Sequence, residues 1–174
     1  MQAARDGREL RHVHVGHAPC RRIRLAWCSL LLVLGVCTGQ AAMRALSLEE
    51  LVRQADMIVL GTVIQQKSAW NARYTAIYTD VTVAVEQTLT GNPVQVVTLQ
   101  VTGGSVGGIG MRTSHDAKFR DGERVIVFLD TRTVPSTVVG MQQGKFAVQD
   151  NVVIRDDETW GLAAFIAAVR TAAR

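Results

Sequence analysis

Apolar residues recur along this chain with two different periods, and the change of period separates its elements. Ser47-Leu-Glu-Glu50 has the spacing of a capping box, in which the serine hydroxyl and the Glu50 carboxylate satisfy each other's backbone donors at a helix start. Leu48, Leu51, Val52 and Ala55 follow at i, i+3, i+4 and i+7, which predicts an amphipathic helix over 47–55. At Asp56 the period breaks. Met57-Ile-Val-Leu-Gly-Thr-Val-Ile64 is a β-branched run without a polar face, the pattern of a strand covered on both sides. Residues 65–73 are polar, hold Trp70 and Asn71, and read as a connection.

The next segment alternates with period two. Ile77, Val81, Val83 and Val85 share one face, while Tyr78, Asp80, Thr82, Glu86 and Thr88 share the other, so one face is core and one is wet. Thr90-Gly-Asn-Pro93 is a turn cluster, and Val94–Thr102 is a third strand with Val97, Leu99 and Val101 facing in. Regular patterning stops between Gly103 and Gly122, where five glycines crowd into eight residues and imply a long excursion. Arg124–Leu129 is a fourth strand, apolar from Val125 onward. Thr137–Met141 and Lys145–Val148 make a fifth with a bend at Gly144, and Val152–Ile154 is a short addition. Asp156-Asp-Glu-Thr159 has the composition of a helix start, and Leu162, Phe165, Ile166 and Val169 then form an apolar stripe over 159–172. The expected architecture is all-β, a β-rich domain of residues 42–174 with a flanking helix at each end.

Length and composition add that this is one domain: 174 residues, 48% of them apolar and 20% charged, suit a single packed core. The formal charge of +4 invites a nucleic-acid reading, but six of the 19 Lys and Arg lie in the first 24 residues. From Ala42 onward 13 basic and 13 acidic residues balance, and the footprint needed for phosphate backbones is missing.

The basic surplus belongs to an address. Arg21, Arg22 and Arg24 precede thirteen uncharged residues, Leu25–Cys37, followed by small residues at Gly39, Ala41 and Ala42. A charged region, a short apolar region and a small-x-small site make a secretory signal peptide, here residues 1–41 with a long n-region and cleavage after Ala41. As a helix the apolar run reaches about 20 Å, short of the roughly 30 Å hydrocarbon core, so the membrane is met only through this leader. The expected location is periplasmic or extracellular. Cys20, Cys28 and Cys37 all fall in the leader region, so the mature domain holds no disulfide. Lipidation of Cys37 is the minority alternative, because Val36 stands where a small residue is wanted.

Candidate chemistry in the mature part is sparse. Ser114-His115-Asp116 contains three hydrolase residue types, but sequence neighbours cannot form a nucleophile, base and orienter chain. His115 is the only histidine after residue 41, which leaves no histidine set for zinc, and neither a metal nor a cofactor is expected. The glycine segment lacks the Gly-Lys-Ser/Thr ending of a P-loop; its expected role is geometric, supplying positive φ angles. Trp70, Tyr74 and Tyr78 group near one strand start, and Asp121 and Glu123 flank Gly122 where a turn explains them. Catalysis needs groups with tuned pKa, and none stands at a suggestive spacing, so a non-enzymatic binding module is expected. Its contacts are assigned to Trp70, Tyr74, Arg112 and His115 on the two long excursions, because aromatic and arginine side chains dominate interface energies. A carbohydrate-binding or hydrolytic domain is the alternative.

The order of a helix, Ala55-Asp-Met-Ile-Val-Leu-Gly-Thr-Val63, the alternating strand ending Leu89-Thr-Gly91, and Phe119-Arg-Asp-Gly-Glu-Arg-Val-Ile-Val-Phe128 resembles the netrin-like module of the tissue inhibitors of metalloproteinases. It is similar also to small exported bacterial proteins of unassigned activity, through Gly103-Gly-Ser-Val-Gly-Gly108, Gly122-Glu123 and Val139–Phe146. The resemblance covers residues 47–148 and implies a five-stranded barrel of oligonucleotide/oligosaccharide-binding (OB) type, with an exported protein such as a peptidase or a cell-envelope protein as partner. Those inhibitors chelate the protease zinc with an N-terminal cysteine. No mature position here offers one, so the inhibitory mechanism does not carry over with the fold.

Overall fold

Strands β1 (Met57–Trp70) and β6 (Arg124–Asp130) pair antiparallel, Met57 to Thr62 opposite Leu129 to Arg124, and along this ladder both are buried on two faces. These coordinates, a computed structural model, describe residues 44–174; the leader and its cysteines lie outside the described residues. Because successive side chains point to opposite faces, the two strands feed two separate cores. Ile58, Leu60, Ile126 and Phe128 enter a core shared with the helices. Val59, Val63, Val125, Val127 and Leu129 enter a second core with Val81, Val83, Leu99 and Phe119. This two-sided burial is why neither run carries a polar face in the sequence.

The remaining strands extend the sheet on either side of this pair. They are β2 (Ile77–Thr90), β3 (Val96–Thr102), β7 (Thr137–Val138), β8 (Lys145–Gln149), β9 (Val152–Arg155) and β10 (Glu158–Gly161), while β4 (Gly104–Val106) and β5 (Ile109–Met111) form a separate hairpin. The neighbour order is β10-β9-β8-β6-β1-β2-β3, with β7 on the far end of β6. The all-β class with two helices is as expected, but the barrel does not close. Its open edge, β3, returns to β7 only through one parallel bridge, Leu99 to Ser136, and the Gln100 N–H to Ser136 carbonyl bond of 2.8 Å. β7 is two residues long and follows Pro135, which has no N–H to donate, so a continuous ladder cannot form there.

Helix α1 (Leu48–Gln54) starts on the expected capping box: the Glu50 N–H donates to the Ser47 hydroxyl at 3.2 Å, and the Ser47 N–H donates to the Glu50 carboxylate at 3.0 Å. Helix α2 (Leu162–Ala172) starts three residues later than expected, because Glu158–Gly161 pairs with β9 across the two-residue turn Asp156-Asp157. What decides this is Trp160. From the strand its ring reaches Phe146 and Phe165, at centroid distances of 6.0 and 5.5 Å, and Phe146 in turn meets Phe128 at 5.5 Å. Arg155, paired with Glu158, lies over Phe146 and Trp160 at 4.9 and 5.8 Å. The expected fifth strand is two pieces, β7 and β8, both on β6 and separated by a 3-10 turn at Met141–Gly144. Residues 65–70, read as connection, are strand.

Ion pairs fasten the sheet from outside. Glu86 of β2 accepts from Arg124 of β6 through two bonds to the guanidinium Nε and Nη2, of 2.9 and 2.6 Å, and from the Thr62 hydroxyl of β1 between them. The Arg124 guanidinium holds the Glu86 carboxyl below its usual range. The Arg132 guanidinium and backbone N–H bind Asp130 and hold its carboxyl down to about 2.

Two outcomes follow from this arrangement. Val83 is fully buried opposite Val63 and Val97, whereas the Thr82 hydroxyl meets Thr98 on the wet face. Val83→Asp is expected to cost at least about 4 kcal/mol in urea unfolding, and Thr82→Asp about 1 kcal/mol or less; equal losses would overturn the register. For the depressed carboxyls, the unfolded chain binds protons that the folded chain does not, so their stabilisation is present above about pH 4 and is lost on acidification toward about pH 2. Asp130→Asn should flatten the fall of Tm over that interval, and an unchanged slope would show that the pair contributes nothing.

Candidate functional site

Beyond Thr62 strand β1 leaves β6, passes a register shift at Ile64, and continues as the edge of a three-stranded arm, in which Gln65–Trp70 pair with Thr82–Ile77 of β2 and β2 pairs in turn with β3. The side chains of Gln65–Ser68 are polar because neither β6 nor a helix covers this edge, whereas Ile77, Thr79 and Val81 of β2 beside it are buried. The tip is closed by Asn71. Its N–H donates to the Ala76 carbonyl at 2.8 Å, its side-chain oxygen accepts from the Thr75 N–H at 2.8 Å, and its carbonyl accepts from the Tyr74 N–H at 2.9 Å. This network holds Tyr74 at a φ of 55°, in the left-handed region, with the residue 77% exposed. Trp70 is half-buried at the base of the same turn.

The glycine segment folds back on this arm. Gly103 and Gly104, at φ of 101° and 136°, reverse the chain after β3, and a Cβ on Gly104 would collide with the hydroxyls of Ser68 and Thr79. Those hydroxyls are 2.8 Å apart, and Thr79 donates to the Gly103 carbonyl at 2.6 Å, which ties the segment to the middle of the arm. Gly107 and Gly108 then supply the two positive φ angles of a tight hairpin turn between β4 and β5. The chain returns through Thr113–Phe119. Ala117 and Phe119 plug the second core, so the residue between them, Lys118, faces outward.

Between the hairpin, the returning segment and the arm lies a cleft of about 640 Å³. Arg112, Asp116 and Lys118 line it together with Gln66 and Thr79 of the arm, over an apolar wall of Val101, Met111 and Phe119. Asp116 accepts a 2.7 Å hydrogen bond from the Thr113 hydroxyl. Gln66 donates to Asp121 at 2.9 Å, holding the arm to the entrance of β6.

Of the four side chains assigned from sequence, Arg112 lines the cleft, while Trp70 and Tyr74 belong to the arm and its tip. His115 is exposed and lines no part of the cleft; its carbonyl accepts from the Gln142 N–H of the 3-10 turn at 2.9 Å. The described hydrogen bonds join Asp116 to Thr113 and give His115 no carboxylate partner. Among the described residues no three His, Cys, Asp or Glu side chains are grouped to hold a metal ion, and no helix is long and apolar enough to cross a membrane. No family model, curated protein or solved structure matches this chain. Gln66, Thr79 and Lys118 escape sequence reasoning; only the Ala117-Lys-Phe119 alternation hints that Lys118 points away from a core.

The cleft depends on Gly104. Gly104→Ala should cost about 2 kcal/mol and make residues 103–118 readily nicked by protease, because a side chain there meets both the collision and an unfavourable φ. A Cβ on Gly110 would meet nothing nearer than 4.0 Å, so Gly110→Ala should be neutral in both assays. Equal behaviour of the two variants would show that the hairpin does not rest on the arm.

Proposed function

We propose that residues 42–174 act as an exported, non-enzymatic binding module that contacts another exported protein, a peptidase or a cell-envelope protein, through the tip of the arm. The observation that carries this is Tyr74. Holding a non-glycine residue at a φ of 55° costs about 1–2 kcal/mol, and the ring recovers nothing from a core, since it is exposed on a turn that Asn71 keeps rigid. An aromatic ring displayed at low entropic cost suits a protein interface, with Trp70 half-buried at the base of the turn and Arg73 exposed within it.

The leader pattern supports export, and the balanced charge after Ala42 speaks for a protein partner over nucleic acid. The path β1-β2-β3, with β6 returning to β1 and a parallel bridge from β3, supports the netrin-like, OB-type resemblance. Without an N-terminal cysteine the module binds its partner by side-chain contact and not by taking a metal.

The test is affinity capture from the exported fraction with wild type and with a Trp70→Ala/Tyr74→Ala double variant, together with the mass of the mature N-terminus. Expected are a chain beginning near Ala42 and a partner whose recovery falls at least about tenfold in the folded double variant. Capture unaffected by the variant, or turnover of a glycan or peptide library by the purified protein, would overturn the reading in favour of the carbohydrate-binding or hydrolytic alternative. A cytoplasmic protein starting at Met1 would overturn export.

A further inference from the structure

The cleft beside the arm has a chemistry of its own. Arg112 and Lys118 make no ion pair or side-chain hydrogen bond with a described residue; Arg53, Lys67, Arg73, Arg120, Arg170 and Arg174 are likewise unpaired, but of these eight cations only Arg112 and Lys118 line the cleft. Two uncommitted cations therefore share one concave surface, and the carboxylate among them, Asp116, is occupied by the Thr113 hydroxyl. The formal charge of the lining is +1, which a monoanion balances. A dianion such as phosphate would overcompensate it and face Asp116.

A second observation is independent of charge. Four of the glycines in the segment, Gly103, Gly104, Gly107 and Gly108, have positive φ angles that favour glycine. Gly110 does not. Its φ lies outside that region, a Cβ would meet no atom within hard contact, and it stands in strand β5, so neither backbone conformation nor packing calls for glycine there. Glycine in a strand without a backbone reason marks a place where something approaches the main chain closely, and Gly110 lines the cleft. Nothing in the described chain occupies that approach.

We infer that the cleft binds a monocarboxylate carrying an apolar group: the carboxylate is held by the Arg112 guanidinium and the Lys118 ammonium, the apolar group lies on Val101, Met111 and Phe119, and the adjoining atoms run across Gly110. The guanidinium fork matches a carboxylate through two parallel hydrogen bonds. A volume of about 640 Å³ suits a small organic acid or the last residues of a peptide. This assignment does not depend on the arm-tip interface.

The experiment is a titration of the purified protein followed by the backbone amide resonances of residues 103–119. The probes are N-acetyl-leucine, its neutral amide, acetyl-Ala-Ala-Leu with a free C-terminus, and inorganic phosphate. Expected is saturable binding of both free acids with shifts at Gly110 and Arg112, and an affinity for the amide lower by about tenfold or more. Arg112→Gln/Lys118→Gln and, separately, Gly110→Val should each lower acid affinity about tenfold at unchanged Tm, while Trp70→Ala/Tyr74→Ala should leave it intact. Tighter binding of the peptide than of N-acetyl-leucine identifies a peptide C-terminus as the source; equal affinity identifies a free small acid. Equal binding of acid and amide, tighter binding of phosphate, no saturable shift at Gly110, or unchanged affinity in the Arg112/Lys118 variant would each overturn the assignment.

Discussion

The fold depends on one constraint: the ladder between β1 and β6 must bury both of its faces at once. An apolar strand covered on one side would leave Ile58, Leu60, Ile126 and Phe128, or Val59, Val63, Val125 and Val127, in water. Each neighbouring element answers to one of these sets. The two helices and the β8-β9-β10 meander cover the first, and the curl of β2 and β3, plugged by Ala117 and Phe119, covers the second. The arm exists because β2 is longer than this ladder. Past Thr62 strand β1 follows β2 alone, and the absence of a β6 neighbour leaves room for the glycine hairpin.

Sequence patterning was informative where a residue's partner was set by periodicity. The capping box at Ser47, the Val81-Val83 alternation and the two apolar runs led directly to α1, β2, β1 and β6. It failed where two local readings were equally good. Asp156-Asp-Glu-Thr159 can start a helix or turn a hairpin, and only the distant Phe146 and Phe165, by holding Trp160, select the hairpin. Gln65–Trp70 carries no apolar period because it is the edge of the arm, past the end of its ladder with β6, and none of its faces is given wholly to a core. Closure of the barrel hung on the length of β7, which depends on where the chain re-enters the sheet after Pro135. Of the candidate site, Arg112 could be found from its position on the glycine excursion. Thr79 and Gln66 could not, since they meet that excursion only through tertiary folding.

Arm and cleft are physically continuous. Ser68 and Thr79 belong to the arm, yet the Thr79 hydroxyl, bonded to that of Ser68, holds the Gly103 carbonyl in the cleft wall, and Gln66 anchors the arm to Asp121. The surface at Tyr74 and the cations at Arg112 and Lys118 are therefore presented by one framework of strand pairing and short side-chain bonds. A contact at either end meets a prepared surface and avoids most of the ordering cost of a free loop.

The Arg155 stack bears on where recognition can occur. Phe128, Phe146, Trp160 and Phe165 form one aromatic cluster, and the Arg155 guanidinium lies against two of its rings while Glu158 neutralises it. Organic cations and sugar faces compete for such rings, but here the protein brings its own occupant, joined to the cluster through the same hairpin. Three of the four rings are core, and Arg155 lies against Phe146 and the half-buried Trp160, so the cluster serves packing and leaves the exposed ring of Tyr74 as the open aromatic face among the described residues.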